Sequence, residues 1–260
     1  MTLAPGSVPA FELDGLVKRF NGRPVVHELS LTVPQGTLYG LVGPNGAGKT
    51  TSLLMATGLL RPDLGTARVL GVDVWADTSR AKALMGVAPD GLRLFEQLSG
   101  RELLEYVGAL RRMPRQVTAA RAAELLAVLD LTADANVVVA DYSAGMAKKI
   151  GLACALIHAP RLLVLDEPFE AVDPVSGQVI RTILRRYVES GGTVVMSSHV
   201  MELVAELCDQ VAVIVGGRVL ASGPVAELAA GRSLHDRFLE LVGASDVGAE
   251  GLAWLGSSSG

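Results

Sequence analysis

The chain opens with short apolar runs broken by turn residues. Phe11–Phe20 and Val25–Val33 alternate apolar and polar positions around Asn21-Gly22-Arg23-Pro24, and Pro34-Gln35-Gly36 closes the second run. That period of two predicts two half-buried strands. Leu38, Tyr39, Leu41 and Val42 then form a run that is apolar on both faces, the pattern of a strand buried inside a sheet. A helix is expected from Lys49 to about Leu60, stopped at Arg61-Pro62 because the residue before proline avoids helical geometry. Short strands follow around Ala67–Leu70 and Met85–Val87.

The period then lengthens. Ser99-Gly100-Arg101-Glu102 fits a capping box that opens a helix to about Arg112. Thr118–Leu129 reads as a second helix, and Ser143–Ala159 as a third that Pro160 stops. Alternation of strand and helix resumes with the all-apolar Leu162–Leu165. Asp173-Pro174 supplies a cap and a first-turn proline for a helix expected to share one face among Val175, Val179, Ile183 and Tyr187, closed by Gly191-Gly192. Thr193–Ser197 and Val211–Val215 are strands flanking a helix at Val200–Cys208, and Gly216-Gly217 fits a two-residue hairpin into Arg218–Ala221. A helical tail runs from about Pro224 to Val242, ahead of a Gly/Ser-rich end with the composition of disorder. Strands alternating with helices imply an α/β fold with a mostly parallel sheet covered on both faces, and the helical stretch from about 90 to 157 reads as an insertion in it.

Composition narrows the function. The chain has 260 residues, enough for a large core, and half of it is apolar. No apolar stretch reaches the roughly 20 residues a membrane-spanning helix needs, and the start of the chain shows no basic-then-apolar leader. A net charge of −4 disfavours binding nucleic acid by phosphate neutralisation. Cys154 and Cys208 stand apart, each inside an apolar helical pattern, as expected of buried free thiols in a reducing compartment.

The candidate chemistry sits at two strand ends. Gly43-Pro44-Asn45-Gly46-Ala47-Gly48-Lys49-Thr50 satisfies G-x-x-x-x-G-K-[ST], lies between a buried strand and an opening helix, and is followed by Thr51. Glycines let backbone N–H groups wrap a phosphate, and the helix N-terminus adds a favourable dipole. Lys49 would reach the outer phosphates and the Thr50 hydroxyl would ligate Mg²⁺. Leu162–Leu165 is followed by Asp166-Glu167-Pro168, with the carboxylates at the C-terminal strand end where open α/β sheets bind ligands. Asp166 would hold Mg²⁺ and Glu167 would orient or deprotonate an attacking water. A helix cap followed by a proline turn is the structural alternative for this pair.

With these motifs in order, the chain resembles the nucleotide-binding subunit of an ATP-binding cassette transporter from Phe11 to about Gly223. The resemblance implies a P-loop NTPase (RecA-like) core with an N-terminal antiparallel β subdomain and an inserted α-helical signature subdomain, spanning 1–232, and a short tail over 233–260. It implies ATP and Mg²⁺ as ligands, a second ATP-binding subunit and transmembrane permease subunits as partners, and a cytoplasmic place on the inner face of the plasma membrane. Tyr142-Ser143-Ala144-Gly145-Met146 resembles the family signature, whose Ser143, Ala144, Gly145 and Met146 would meet the ATP of the opposite subunit. The residues themselves show a capped helix start. Asp173 falls at the family's D-loop aspartate, His199 at its switch histidine, and Phe20 at its adenine-stacking aromatic, for which a core position is the alternative. His27, His158 and His235 match nothing.

The departures are specific. Asp90 stands where the family has a lid glutamine; it can ligate the metal or its waters, but adds negative charge beside a triphosphate. Ala144 and Met146 replace Gly and Gln, and Phe169 and Glu170 replace small polar residues. Leu92, Leu94 and Phe95 lie in the loop where a partner's coupling helix docks in this family. The tail Ser233–Leu241 resembles bacterial exporters of drugs, antibiotics or polyketides, or else packs on its own domain. A non-transport cassette acting on ribosomes or DNA, or a regulatory ATP-binding scaffold, are the other readings. Lys49→Ala is expected to weaken ATP binding by about tenfold to a hundredfold, the worth of hydrogen bonds to charged groups. An unchanged affinity by titration would refute the phosphate cradle.

Overall fold

The structure is a computed structural model that describes residues 8–91 and 94–242. Two sheets organise it. The larger has six strands in the order β10-β9-β3-β8-β7-β6. Its centre is β3 (Leu38–Val42), parallel to β8 (Thr193–Ser198) on one side and β9 (Gln210–Val215) on the other. Beyond β8 lie β7 (Leu162–Leu165) and β6 (Met85–Ala88), both parallel, while β10 (Arg218–Pro224) closes the far edge antiparallel. The smaller sheet is antiparallel with four strands, β2 (Arg23–Val33), β1 (Phe11–Phe20), β4 (Leu64–Val69) and β5 (Val72–Asp73) in that order.

Period-two alternation sorts the apolar strands into two cores. Leu38 and Val42 of β3, with Leu163 and Leu165 of β7, face the helices. Tyr39 and Leu41, with Leu162 and Val164, face the small sheet and the first helix, α1 (Lys49–Ala56). The second face of the parallel sheet is therefore covered mainly by another sheet. On the helical face pack α3 (Gly100–Leu110), α4 (Arg115–Val128), α5 (Ala144–Leu156), α6 (Pro174–Glu189) and α7 (Met201–Leu207). Short α2 (Thr78–Leu84) lies between β5 and β6.

Several element ends differ from the sequence reading, each for a local reason. α1 stops at Ala56 because Gly58 turns left-handed at φ +74°, and the N–H groups of Leu59 and Leu60 fold back onto the Leu54 carbonyl. The helix is over before Pro62 can act. On α6 the buried face is Ser176, Ile180, Ile183 and Leu184, whereas Val175 is 72% exposed. The start of α6 lies against Gly145, where a Cβ would come within 2.9 Å of Ser176 Oγ, so the inward position is small and polar. The capping box at Ser99 and Glu102 is formed as expected. The tail is two helices, α8 (Val225–Ala229) and α9 (Leu234–Val242), broken where Ala230 and Gly231 take positive φ. Leu234 is buried and Phe238 and Leu241 pack on the helical-face core, so the tail docks on its own chain. The Gly/Ser-rich end lies outside the described residues.

Cys154 and Cys208 are free thiols whose pKa burial pushes up, to about 12 for Cys154. Among the described residues no helix is long and apolar enough to cross a membrane. His158, which the sequence left without a role, is a structural group. Its Nε2–H donates to the Met85 carbonyl at 3.0 Å, and its buried Nδ1 has no partner. Protonating Nδ1 would set a buried N–H without an acceptor near Arg111 and Arg121. Burial, then Arg111, lowers its pKa to about 4. An unfolded histidine takes up its proton near about 6.5. The unfolded chain thus binds more protons between these values, and stability falls as pH drops through that window. Melting temperature should decline from about pH 7 to about pH 4, and His158→Gln should flatten that decline. Identical profiles for both proteins would refute this role.

Candidate active site

The glycine loop Gly43–Thr50 follows β3 and turns sharply into α1. Gly46 and Gly48 take φ of +79° and +99°, conformations that favour glycine. Close approach makes a second demand. A Cβ on Gly43 would stand 2.0 Å from the Ile214 carbonyl oxygen of β9, and one on Gly48 would stand 2.9 Å from the Val25 oxygen of β2. The loop is also hydrogen-bonded to the β9–β10 turn, whose Gly217 N–H donates to the Ala47 carbonyl at 2.9 Å. Gly217 in turn accepts from His27 N–H at 2.9 Å, and a Cβ there would come within 2.3 Å of the Val25 oxygen. The sequence marked Gly216-Gly217 only as a hairpin; that it braces the phosphate loop depends on β9 lying beside β3.

Lys49 is 6% exposed. Its ammonium donates to the Gly43 carbonyl at 2.7 Å and the Pro44 carbonyl at 3.3 Å, and lies 3.6 Å from Glu167 Oε1. The other Glu167 oxygen is 3.1 Å from His199 Nδ1. Lysine, glutamate and histidine thus form one continuous chain of contacts across β3, β7 and β8. Thr50 is exposed at the first turn of α1, and Thr51 is half-buried beside it; Pro44, Asn45 and Gly46 are exposed.

Asp166 is 4% exposed. Ser197 Oγ donates to its Oδ1 at 2.5 Å and accepts the Glu167 N–H at 2.9 Å. Sequence reasoning passed over Ser197; the available signal was a hydroxyl pair, Ser197-Ser198, ending an otherwise apolar strand. Asp166 Oδ2 is buried without a partner. An unsatisfied buried carboxylate oxygen at a strand end fits a cation. Among the described residues no three His, Cys, Asp or Glu side chains gather as a metal cage.

Glu167 has φ +46°, an unusual conformation for a long side chain. Its carbonyl accepts from Lys148 Nζ at 2.9 Å, and the same ammonium is 3.1 Å from Asp90 Oδ1. The extra negative charge expected from Asp90 is therefore offset inside the chain by Lys148, which the sequence reading did not single out.

The residues expected to form the signature, Ser143 to Met146, are placed apart from this chain of contacts. Ser143 caps α5, accepting Met146 N–H at 3.2 Å, and makes no hydrogen bond to the glycine loop among the described residues. Gly145 allows close approach to this chain's own α6, since a Cβ would meet Asp173 Oδ2 at 2.8 Å. Ala144 is exposed, and Met146 packs on the helical-face core. Asp173 caps α6, accepting from Val175 and Ser176 N–H groups, and the Ser176 bonds hold its carboxyl below the usual carboxylate range. Phe20 is 45% exposed at the end of β1, with the Lys18 ammonium 5.9 Å from its ring centre, so it is no core residue. Phe95 is exposed and meets Tyr106 edge-on at 4.9 Å; Leu94 is half-buried, and Leu92 lies outside the described residues.

A family model described as ABC transporter matches residues 26–170, more than half of the chain. The chain belongs to the ABC transporter family. It is a cassette ATPase, and the relatives it matches are named as ATP-binding proteins. It is 39% identical over 219 residues to the daunorubicin/doxorubicin resistance ATP-binding protein of Streptomyces peucetius, covering 84% of this chain and 66% of that one. It is 37% identical to the Nod factor export ATP-binding protein I of Ralstonia nicotianae, covering 86% and 70%. The chain thus spans about two thirds of the length of these relatives. Among solved structures, an ATP-binding subunit of an ABC transporter superposes with a TM-score of 0.83 at 24% identity, covering 90% of this chain and 99% of that one. An ATP-binding cassette in its ADP conformation gives 0.75 at 20% identity, over 91% and 99%. These two likenesses establish the fold.

Gly43→Ala tests the bracing directly. The added methyl must push the loop off Ile214 and displace the carbonyl that holds Lys49. It should lower stability by about 1–3 kcal/mol and weaken ATP binding. Denaturation and nucleotide titration measure both, and wild-type affinity would show that the close approach is dispensable.

Proposed function

We propose that this chain is the ATP-hydrolysing subunit of an exporter, driving transport through separate membrane-spanning subunits. The observation that carries the reading is the contact chain Lys49–Glu167–His199 beside Asp166, whose buried Oδ2 lacks a partner. The names of the relatives, drug resistance and Nod factor export, support the direction of transport. The exposed Phe95–Tyr106 pair would face a permease segment.

Each residue has a distinct task in this reading. The glycine-loop N–H groups and Lys49 bind the phosphates, and Phe20 stacks on the base. Thr50 and Asp166 would hold Mg²⁺, which when bound neutralises charge on the phosphates. Asp90, engaged by Lys148, is assigned to that ion pair. Glu167 accepts a proton from the attacking water, and His199 orients its carboxylate through the 3.1 Å contact. The Lys49 ammonium must exchange Glu167 for phosphate when nucleotide enters, which frees the carboxylate for water.

The capped start of α5 carries Ser143 outward, with no bond to its own glycine loop among the described residues. We assign Ser143, Ala144, Gly145 and Met146 to the nucleotide held by a second cassette, with Asp173 linking the two sites. ATP would then close two cassettes face to face, and hydrolysis would reopen them. Glu167→Gln should slow phosphate release by about 10²–10⁴-fold, the usual worth of a general base. It should also accumulate an ATP-bound dimer in sedimentation. Monomers alone at saturating ATP would count against the shared site.

A further inference from the structure

The signature helix does not sit flush on the strand end that carries Asp166 and Glu167. Between them is a cleft of 280 Å³ with Ala144, Ala147 and Gly151 of α5 on one side and Leu165, Pro168 and Ala171 on the other. A Cβ at Gly151 would meet nothing within 4 Å. Lys148 lines the cleft too, and its side chain reaches two elements at once, the Asp90 carboxylate after β6 and the Glu167 carbonyl after β7.

The two contacts differ in weight. The ion pair is partly open to water, with side-chain exposures of 26% for Lys148 and 42% for Asp90, so by itself it contributes little. The bond to the Glu167 carbonyl acts where the backbone is least comfortable. A non-glycine residue at positive φ is strained and persists only where neighbours enforce it. At Glu167 the enforcement comes from both flanks of the residue: Ser197 Oγ accepts its N–H, and its C=O accepts from Lys148 Nζ at 2.9 Å and, more weakly, from the Glu170 N–H of the following turn at 3.2 Å. Asp90 then serves to aim the ammonium.

We propose that Lys148 is a positioning residue for ATP hydrolysis, a strut that holds the strained Glu167 backbone and ties it to α5 and to the loop at Asp90. The inference rests on the hydrolytic role of Glu167 proposed above. Displacement of α5 or of the Asp90 loop would move the carbonyl, and with it the carboxylate that meets His199 and Lys49. Because Lys148 makes no hydrogen bond or ion pair with the glycine loop among the described residues, its loss should leave nucleotide binding alone.

The test is steady-state ATP hydrolysis by the purified full-length chain. Lys148→Met should lower kcat by at least about fivefold while KM for ATP and the affinity for a fluorescent ATP analogue change less than about threefold. Lys148→Arg, which keeps donors for both acceptors, should recover at least half of the lost kcat. Asp90→Asn should lower kcat alone and add nothing on top of Lys148→Met, since both act through one strut. A smaller fall in kcat, a matching rise in KM, no recovery with arginine, or additive losses would each overturn the proposal. Should Lys148→Met melt below the assay temperature, Lys148→Arg and Asp90→Asn decide it by their kcat. A wild-type chain without turnover would instead overturn the hydrolytic reading beneath it.

Discussion

A lysine that is 6% exposed holds the architecture of the site together. Burying an ammonium is costly unless its three protons find acceptors and its charge finds a partner. For Lys49 the acceptors are the carbonyls of Gly43 and Pro44, and the partner is Glu167. Those carbonyls point inward only because the loop runs tight against β9 and β2. Glycine at positions 43, 48 and 217 is thus a condition for placing the charge, as well as for exposing backbone N–H groups to a phosphate.

Strand order converts that local demand into a site. β8 lies between β3 and β7, so the residues that end β8 fall between the glycine loop and the carboxylates. Ser197 uses this position to bond Asp166 and the Glu167 backbone together, and His199 to reach Glu167 from the far side. Loop, carboxylates and histidine come from three stretches far apart in the chain, and only parallel strands with this neighbourhood bring their C-terminal ends to one edge. The antiparallel sheet contributes from behind, since β2 supplies the Val25 oxygen against which the loop is packed.

What the sequence made legible were features encoded over a few adjacent residues. The glycine loop, the Asp166-Glu167 pair, the Ser99 and Asp173 caps and the all-apolar strands each carry their own signal, and each forms where it was expected. What it left illegible depends on pairing across the fold. Ser197 looks like an ordinary strand residue until β7 is beside it, and Lys148 looks like a solvated helix lysine until Asp90 and the Glu167 carbonyl arrive. On α6, Val179, Ile183 and Tyr187 face the core as the spacing predicts, whereas Val175 does not, because Gly145 of another helix leaves room for Ser176 to turn in instead. The end of α1 was misplaced because a left-handed Gly58 acts before a proline can.

The departures from the family pattern also become physical once neighbours are known. Met146 has no polar contact to offer, but it packs on the helical-face core and so anchors the start of α5. Phe169 lies with the Arg181 guanidinium 5.9 Å from its ring centre, which seats the turn after Pro168 on α6. At Met146 and Phe169 packing thus replaces polarity, whereas Glu170 is an exposed charge. Asp90 also introduces charge, near the centre, and there the chain answers with Lys148 on the opposite wall of the cleft. A carboxylate and an ammonium in place of a neutral amide make the link between helical block and strand end sensitive to ionic screening. Lys148 thus makes two links across the cleft, an ion pair that salt can screen and a bond to the Glu167 carbonyl.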